Sequence, residues 1–156
     1  MKKSRLAAGL AAALLVADAA GQAAAAGANC LLAADIEAEQ AIRYETEIMV
    51  LSDTCGSDSY RDFTVHNQQA IRLYQNQLME RFRRAGARNP RASLDGYLTK
   101  MANERALAAA RERTQVICGR SAPVLAEAKE LRGEQFRRHI ASLAAENGKG
   151  YRRCSG

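Results

Sequence analysis

The chain has 156 residues, about one domain's worth, and a formal charge of +6 with a pI near 9.4. A composition of 47% hydrophobic and 26% charged residues, with two Pro and no Trp, excludes a collagen-like or proline-rich chain and argues against wholesale disorder. So much Ala and Leu beside so little Pro favours helix.

Residues 1–26 have the layout of a secretory signal. Lys2, Lys3 and Arg5 form a positive start, and residues 6–17 are an unbroken apolar or small-residue run. Ala24 and Ala26 then stand at −3 and −1 of a cut before Gly27. That run is too short to cross a bilayer, and Asn29 ahead of Cys30 argues against lipidation. Cleavage removes Lys2, Lys3, Arg5 and Asp18 and lowers the charge from +6 to +4. No later stretch is apolar enough to span a membrane, so residues 27–156 are expected as one periplasmic or secreted domain in an oxidising compartment.

Four helices follow in the mature segment. The first is expected over residues 30–51, with Ala34, Ala38, Ala41, Ile42, Ile48 and Met49 on one face and Glu37, Glu39 and Glu47 largely elsewhere. A polar break over residues 52–59 contains Gly56, and Asp58 or Ser59 is the expected cap of the second helix. That helix has the cleanest stripe: Tyr60, Phe63, Asn67, Ala70, Ile71, Tyr74, Leu78 and Phe82 recur at three- and four-residue steps. Asn67 on the stripe is expected to fix helix register or to line a small polar cavity. Gly86 and Asn89-Pro90 end the helix. The third helix is expected over residues 94–117, opened by Ser93 and Asp95 and broken by Gly119. The fourth is capped by Ser121, carries Pro123 in its first turn, and ends at Asn147-Gly148. No strand pattern competes. The expected fold is an all-α, antiparallel up-down-up-down four-helix bundle.

The order of these helices selects one pairing of the four Cys. Cys30 opens the first helix and Cys154 follows the fourth, at one pole, called lower here; Cys55 and Cys118 fall at the upper pole. Disulfide geometry needs Cα atoms within roughly 7 Å, whereas a helix of this length separates its ends by about 30 Å. Only Cys55–Cys118 with Cys30–Cys154 satisfies both limits. No C-x-x-C is present and the spacings match no zinc module, so the Cys read as staples rather than redox or metal groups.

Chemistry is sparse. The two His, His66 and His139, lie at different heights, and no nucleophile motif or phosphate-binding loop occurs. The expectation is therefore a protein that is not an enzyme and holds no cofactor. An alternative is a bundle holding a non-covalent haem or copper ion near Met101 and His139, with Met79 at a similar level. Charge is uneven: eight carboxylates face two Arg between positions 30 and 62, and the rest of the chain is strongly basic. Helix one is thus expected against basic neighbours. Ten cations converge on the lower pole, Arg81, Arg83, Arg84, Arg88, Arg91, Arg137, Arg138, Lys149, Arg152 and Arg153, offset by Asp35, Glu37, Glu39, Glu80 and Glu146. Helix-dipole electrostatics accounts for those in the last turns. It accounts poorly for Arg88, Arg91, Arg152 and Arg153, which lie beyond the helix ends and form the candidate anion-binding group. The expected function is a non-catalytic binding or structural protein of the bacterial envelope, its partner an anionic envelope component or another protein. Nucleic acid is not expected, since no recognition motif is present.

Overall fold

A computed structural model describes residues 30–154. The expected signal segment lies outside these residues. Five α-helices follow in order: α1 (Ala33–Cys55), α2 (Ser59–Arg84), α3 (Pro90–Ala109), α4 (Thr114–Glu130) and α5 (Glu134–Asn147), then a 3-10 turn at Gly148–Gly150. Among the described residues the only β pairing is an isolated bridge between Leu31 and Arg153.

α1 begins where the Asp35 carboxylate accepts the Leu32 N–H at 2.9 Å, and it ends at Gly56, whose φ of 61° suits glycine. Twelve of its 23 residues are buried, which makes it the central helix rather than one with a single inward face. It contacts all four others. This corrects the expected face: Ala34 is exposed, whereas Glu39 is buried. α2 buries Phe63, Asn67, Ala70, Ile71, Tyr74 and Leu78, following the expected stripe. Asp58 holds its N-cap position without a side-chain cap bond; the Ser57 hydroxyl accepts the Ser59 N–H instead.

The third helix starts earlier than expected. Asn89-Pro90 does not merely end α2. The Asn89 side chain accepts the Ala92 N–H at 3.1 Å, and Pro90, which has no N–H to satisfy, takes the first helical position. The helix then stops at Ala109 rather than at Ile117. Gly119, Ser121 and Pro123, expected as break, cap and first turn, all lie inside α4. Its stripe of Ile117, Ser121, Leu125 and Ala128 keeps helical spacing across them. An interior proline displaces the carbonyl four residues back. Here that residue is Gly119, whose Cβ position is open, so the carbonyl can tilt without a side-chain clash.

The expected fourth helix is two helices, and the four-helix count is corrected to five. Leu131–Gly133 interrupts it, with Gly133 at φ 46°. Asn67 holds the interruption in place. Its Nδ2 donates to the Leu131 carbonyl at 2.8 Å and to the Phe63 carbonyl at 2.9 Å, and its Oδ1 accepts the Gly133 N–H at 2.8 Å. The stripe asparagine is thus a clamp on a chain break.

Contacts fix the directions. Arg84 reaches Asp35 and Arg81 reaches Glu39, so α2 runs antiparallel to α1. Tyr97 packs on Phe82 and Arg105 reaches Glu47, so α3 ascends beside α1. α4 starts at the Cys55–Cys118 bond, and α5 ends where Asn147 donates to Gln40. Both therefore descend, as two segments of one return path. The core is knit by rings: Phe63 and Phe136 meet edge to face at 4.9 Å, with Tyr44 at 5.7 Å from Phe63 and Tyr74 at 6.0 Å from Phe136. The disulfides are Cys55–Cys118 and Cys30–Cys154, the pairs that helix order selects. The second is flanked by backbone bonds from Leu31 N–H to the Arg152 carbonyl and from Cys154 N–H to the Leu31 carbonyl, which tie the tail to the start of α1.

Candidate functional site

The lower pole is built around two buried carboxylates. Asp35 is fully buried and accepts from Arg84 Nη2 at 2.7 and 2.5 Å, from Gln77 Nε2 at 2.9 Å and from the Leu32 N–H. Burial alone would raise its pKa; Arg84, Gln77 and the Leu32 amide outweigh that and hold it below the ordinary value. Glu39 accepts from Arg43, from Arg81 at 2.8 Å and from the Tyr151 hydroxyl at 2.9 Å. Its carboxyl is likewise held low, burial being overcome chiefly by Arg43 and Tyr151. Gln40 donates to the Tyr151 hydroxyl and accepts from Asn147, which extends the network to the tail. Helix one does meet basic neighbours, but two of its own carboxylates lie inside the fold.

This network divides the ten cations. Arg81 and Arg84 are consumed by it. Arg83 pairs with Glu80, and Arg137 with Glu134. Arg137 and Arg138 also stand higher than expected. They follow Phe136 and precede His139, both packed on Tyr44 near the middle of α1, so they do not belong to the pole. Of the four candidate residues, Arg91 pairs with Asp95 one turn on at 3.2 Å, both side chains being well exposed. Such a pair is worth roughly 0.3–0.5 kcal/mol and leaves the guanidinium accessible. Arg88, Arg152 and Arg153 are exposed and form no ion pair among the described residues, as does Lys149. Arg153 lies along the tail, its Nη2 close over Gly148, where a Cβ would stand only 2.8 Å away.

Met101 is buried in the core and Met79 packs against its edge. His139 stacks edge to face on Tyr44 at 4.9 Å, with Nδ1 3.5 Å from Glu127. Its Nε2 and the Tyr44 hydroxyl are both buried without a hydrogen-bond partner. Neither the groove between α1 and α2 around Glu45, nor the cleft and the smaller hollow at the upper ends of α1 and α3, is lined by Met79, Met101 or His139, so none of these openings offers those residues the space a haem needs. No cluster of three His, Cys, Asp or Glu suited to a metal occurs among the described residues.

Two features escaped the sequence. Glu45 sits in the groove between α1 and α2, where burial pushes its carboxyl up to about 7 against a single hydroxyl contact from Tyr60 at 3.4 Å. The upper pole holds an open cleft of about 730 Å³ beside the Cys55–Cys118 bond. Only an Ala-rich run at residues 106–110 hinted at it, since methyl side chains leave a helix flank unfilled. Comparison of the chain with family models, curated proteins and solved structures returned no match, so its functional reading rests on these residues alone.

Proposed function

We propose that this is an exported, non-catalytic binding protein of the bacterial envelope, periplasmic or secreted, which attaches to anionic lipid head groups through its lower pole. The observation that carries the reading is the division of charge there. Arg81 and Arg84 are committed to buried carboxylates, while Arg88, Lys149, Arg152 and Arg153 stay exposed with no acidic partner among the described residues. The tail bearing three of these is held by Cys30–Cys154 and by the Leu31 backbone bonds, so its ordering is supplied before a ligand arrives. Two disulfides suit an oxidising compartment, and no helix among the described residues is long and apolar enough to cross a membrane.

Cosedimentation of residues 27–156 with phosphatidylglycerol and phosphatidylcholine vesicles tests this. Each cation near an anionic surface adds about 1 kcal/mol, so changing Arg88, Arg152 and Arg153 together to Gln should weaken binding roughly 100-fold. Binding to anionic vesicles should also fade between 0.1 and 1 M salt, as the Debye length falls from about 10 to about 3 Å. Equal binding to both vesicle types, or no loss in the triple variant, refutes the proposal.

A further inference from the structure

We propose that the upper-pole cleft is a binding site for a small organic cation, a primary amine carried on an apolar body. The cleft's volume of about 730 Å³ falls within the roughly 300–1,000 Å³ typical of small-molecule sites. A smaller hollow of about 210 Å³ adjoins it, sharing Val50, Ala109 and Glu112. Alanines border both: the end of α3 and the residue after it present Ala106, Ala109 and Ala110 to Met49 and Val50 in the cleft, and Ala108 and Ala109 beside Val50 and Leu51 in the hollow, and methyl groups leave the space unfilled.

The floor is therefore apolar and the rim is not. Asp53, Asp58 and Glu112 stand on it against one cation, Arg61. Arg61 is already engaged, at 3.2 Å from Asp58 and 3.4 Å from Asp62. Glu112 is paired with Arg120 at 2.8 Å, and Asp53 has no ion pair among the described residues. An apolar body would cover the alanine floor while an ammonium group meets the Asp53 side of the rim. A ligand bearing an anion would instead bring like charge to Asp53, the rim carboxylate that no ion pair among the described residues offsets. The walls are pinned by a covalent bond: Thr54 and Ser57 flank the Cys55 end, and Thr114 lies one turn before Cys118. The site is remote from the basic lower pole and independent of it.

Fluorescence titration of residues 27–156 with dansylcadaverine, an alkylammonium on an apolar ring system, tests the assignment against neutral dansylamide and anionic dansylglycine. The ammonium probe should bind about tenfold tighter than the neutral one, and the anionic probe weakest. Asp53→Asn should lower affinity for the ammonium probe about two- to fivefold and leave dansylamide unchanged. Ala106→Leu, on an exposed helical position that tolerates leucine, should lower binding of both at least about tenfold by filling the floor. The Arg88/Arg152/Arg153→Gln variant should bind the probe as the parent does. Removing Cys30–Cys154 by Ser substitution should preserve binding, and removing Cys55–Cys118 should abolish it. Equal affinity for all three probes, or full binding by Ala106→Leu, overturns the proposal whatever the vesicle result.

Discussion

Replacing Asn67 with Ala should cost this small domain much of its stability, because the residue serves an interruption that the chain cannot close by itself. Between α4 and α5 the Leu131 carbonyl and the Gly133 N–H have lost their helical partners, and the Asn67 amide supplies both, at 2.8 Å each. The side chain is 1% exposed, so water does not readily replace it. A net hydrogen bond is worth roughly 0.5–1.5 kcal/mol, and a buried group left unsatisfied costs about 1–3 kcal/mol. With two groups orphaned and partial rehydration at an exposed Gly133, the loss should be about 2–4 kcal/mol. At a few degrees per kcal/mol for this chain length, the melting temperature should fall by roughly 8–15 °C. Gly133→Ala should also destabilise, because φ is 46° there, and the pair should couple by at least about 0.5 kcal/mol in a double-mutant cycle. Thermal or urea unfolding followed by circular dichroism reads all three variants. Asn67→Ala within 0.5 kcal/mol of the parent, or strict additivity with Gly133→Ala, would refute the clamp.

Four further outcomes are expected. Arg84→Met strands the buried Asp35 carboxylate and should cost about 2–3 kcal/mol at pH 7, towards the low end for a broken buried pair because Arg84 is itself 44% exposed; urea unfolding measures it. The pH profile of stability should rise to a maximum near pH 5. Asp35 and Glu39, held below their ordinary 3.8 and 4.5, contribute stability that is present above those values and lost as pH falls through their folded pKa. Glu45, raised from 4.5 to about 7, has the opposite sign: its folded form favours the proton, and stability is lost as pH rises through that window. Glu45→Gln should therefore stabilise the protein by about 1–2 kcal/mol at pH 7.5, less than the full shift implies because the groove is wet, and should do nothing at pH 4.5; destabilisation at pH 7.5 contradicts this. Reduction should lower stability through two closed loops of 63 and 124 residues, up to about 4–5 kcal/mol each in the chain-entropy picture, and single removals by Ser substitution should show both bonds contributing.

The stripe of the second helix was legible from Phe63 to Leu78 because the helix buries one face and wets the other, the condition under which periodicity reports packing. α1 was blurred because it is packed on several sides, and the buried Glu39 broke the rule that carboxylates mark the solvent face. The two breaks were misplaced for a different reason. Gly119 and Pro123 signal punctuation locally, yet the buried Ile117, Ser121, Leu125 and Ala128 stripe overrides them. The true break at Leu131–Gly133 needs a partner 64 residues away in sequence, Asn67, and no local pattern announces that. Disulfide pairing survived these errors, since dividing the return path into α4 and α5 leaves each Cys at its pole. The basic pole was legible as composition but not as availability. The spacing of Arg91 and Asp95 could have announced their pair, whereas the burial of Asp35 and Glu39 against Arg84 and Arg81 required the fold.

Export with oxidation underlies the whole functional reading, and one mass measurement tests it most directly. Residues 1–156 would be expressed in a bacterium with an intact periplasm, and the protein recovered from that compartment would be weighed intact and mapped without reduction. The expected mass is that of residues 27–156 less four hydrogens, with Cys55 linked to Cys118 and Cys30 to Cys154. An uncleaved chain retained in the cytoplasm with four free thiols would contradict the account.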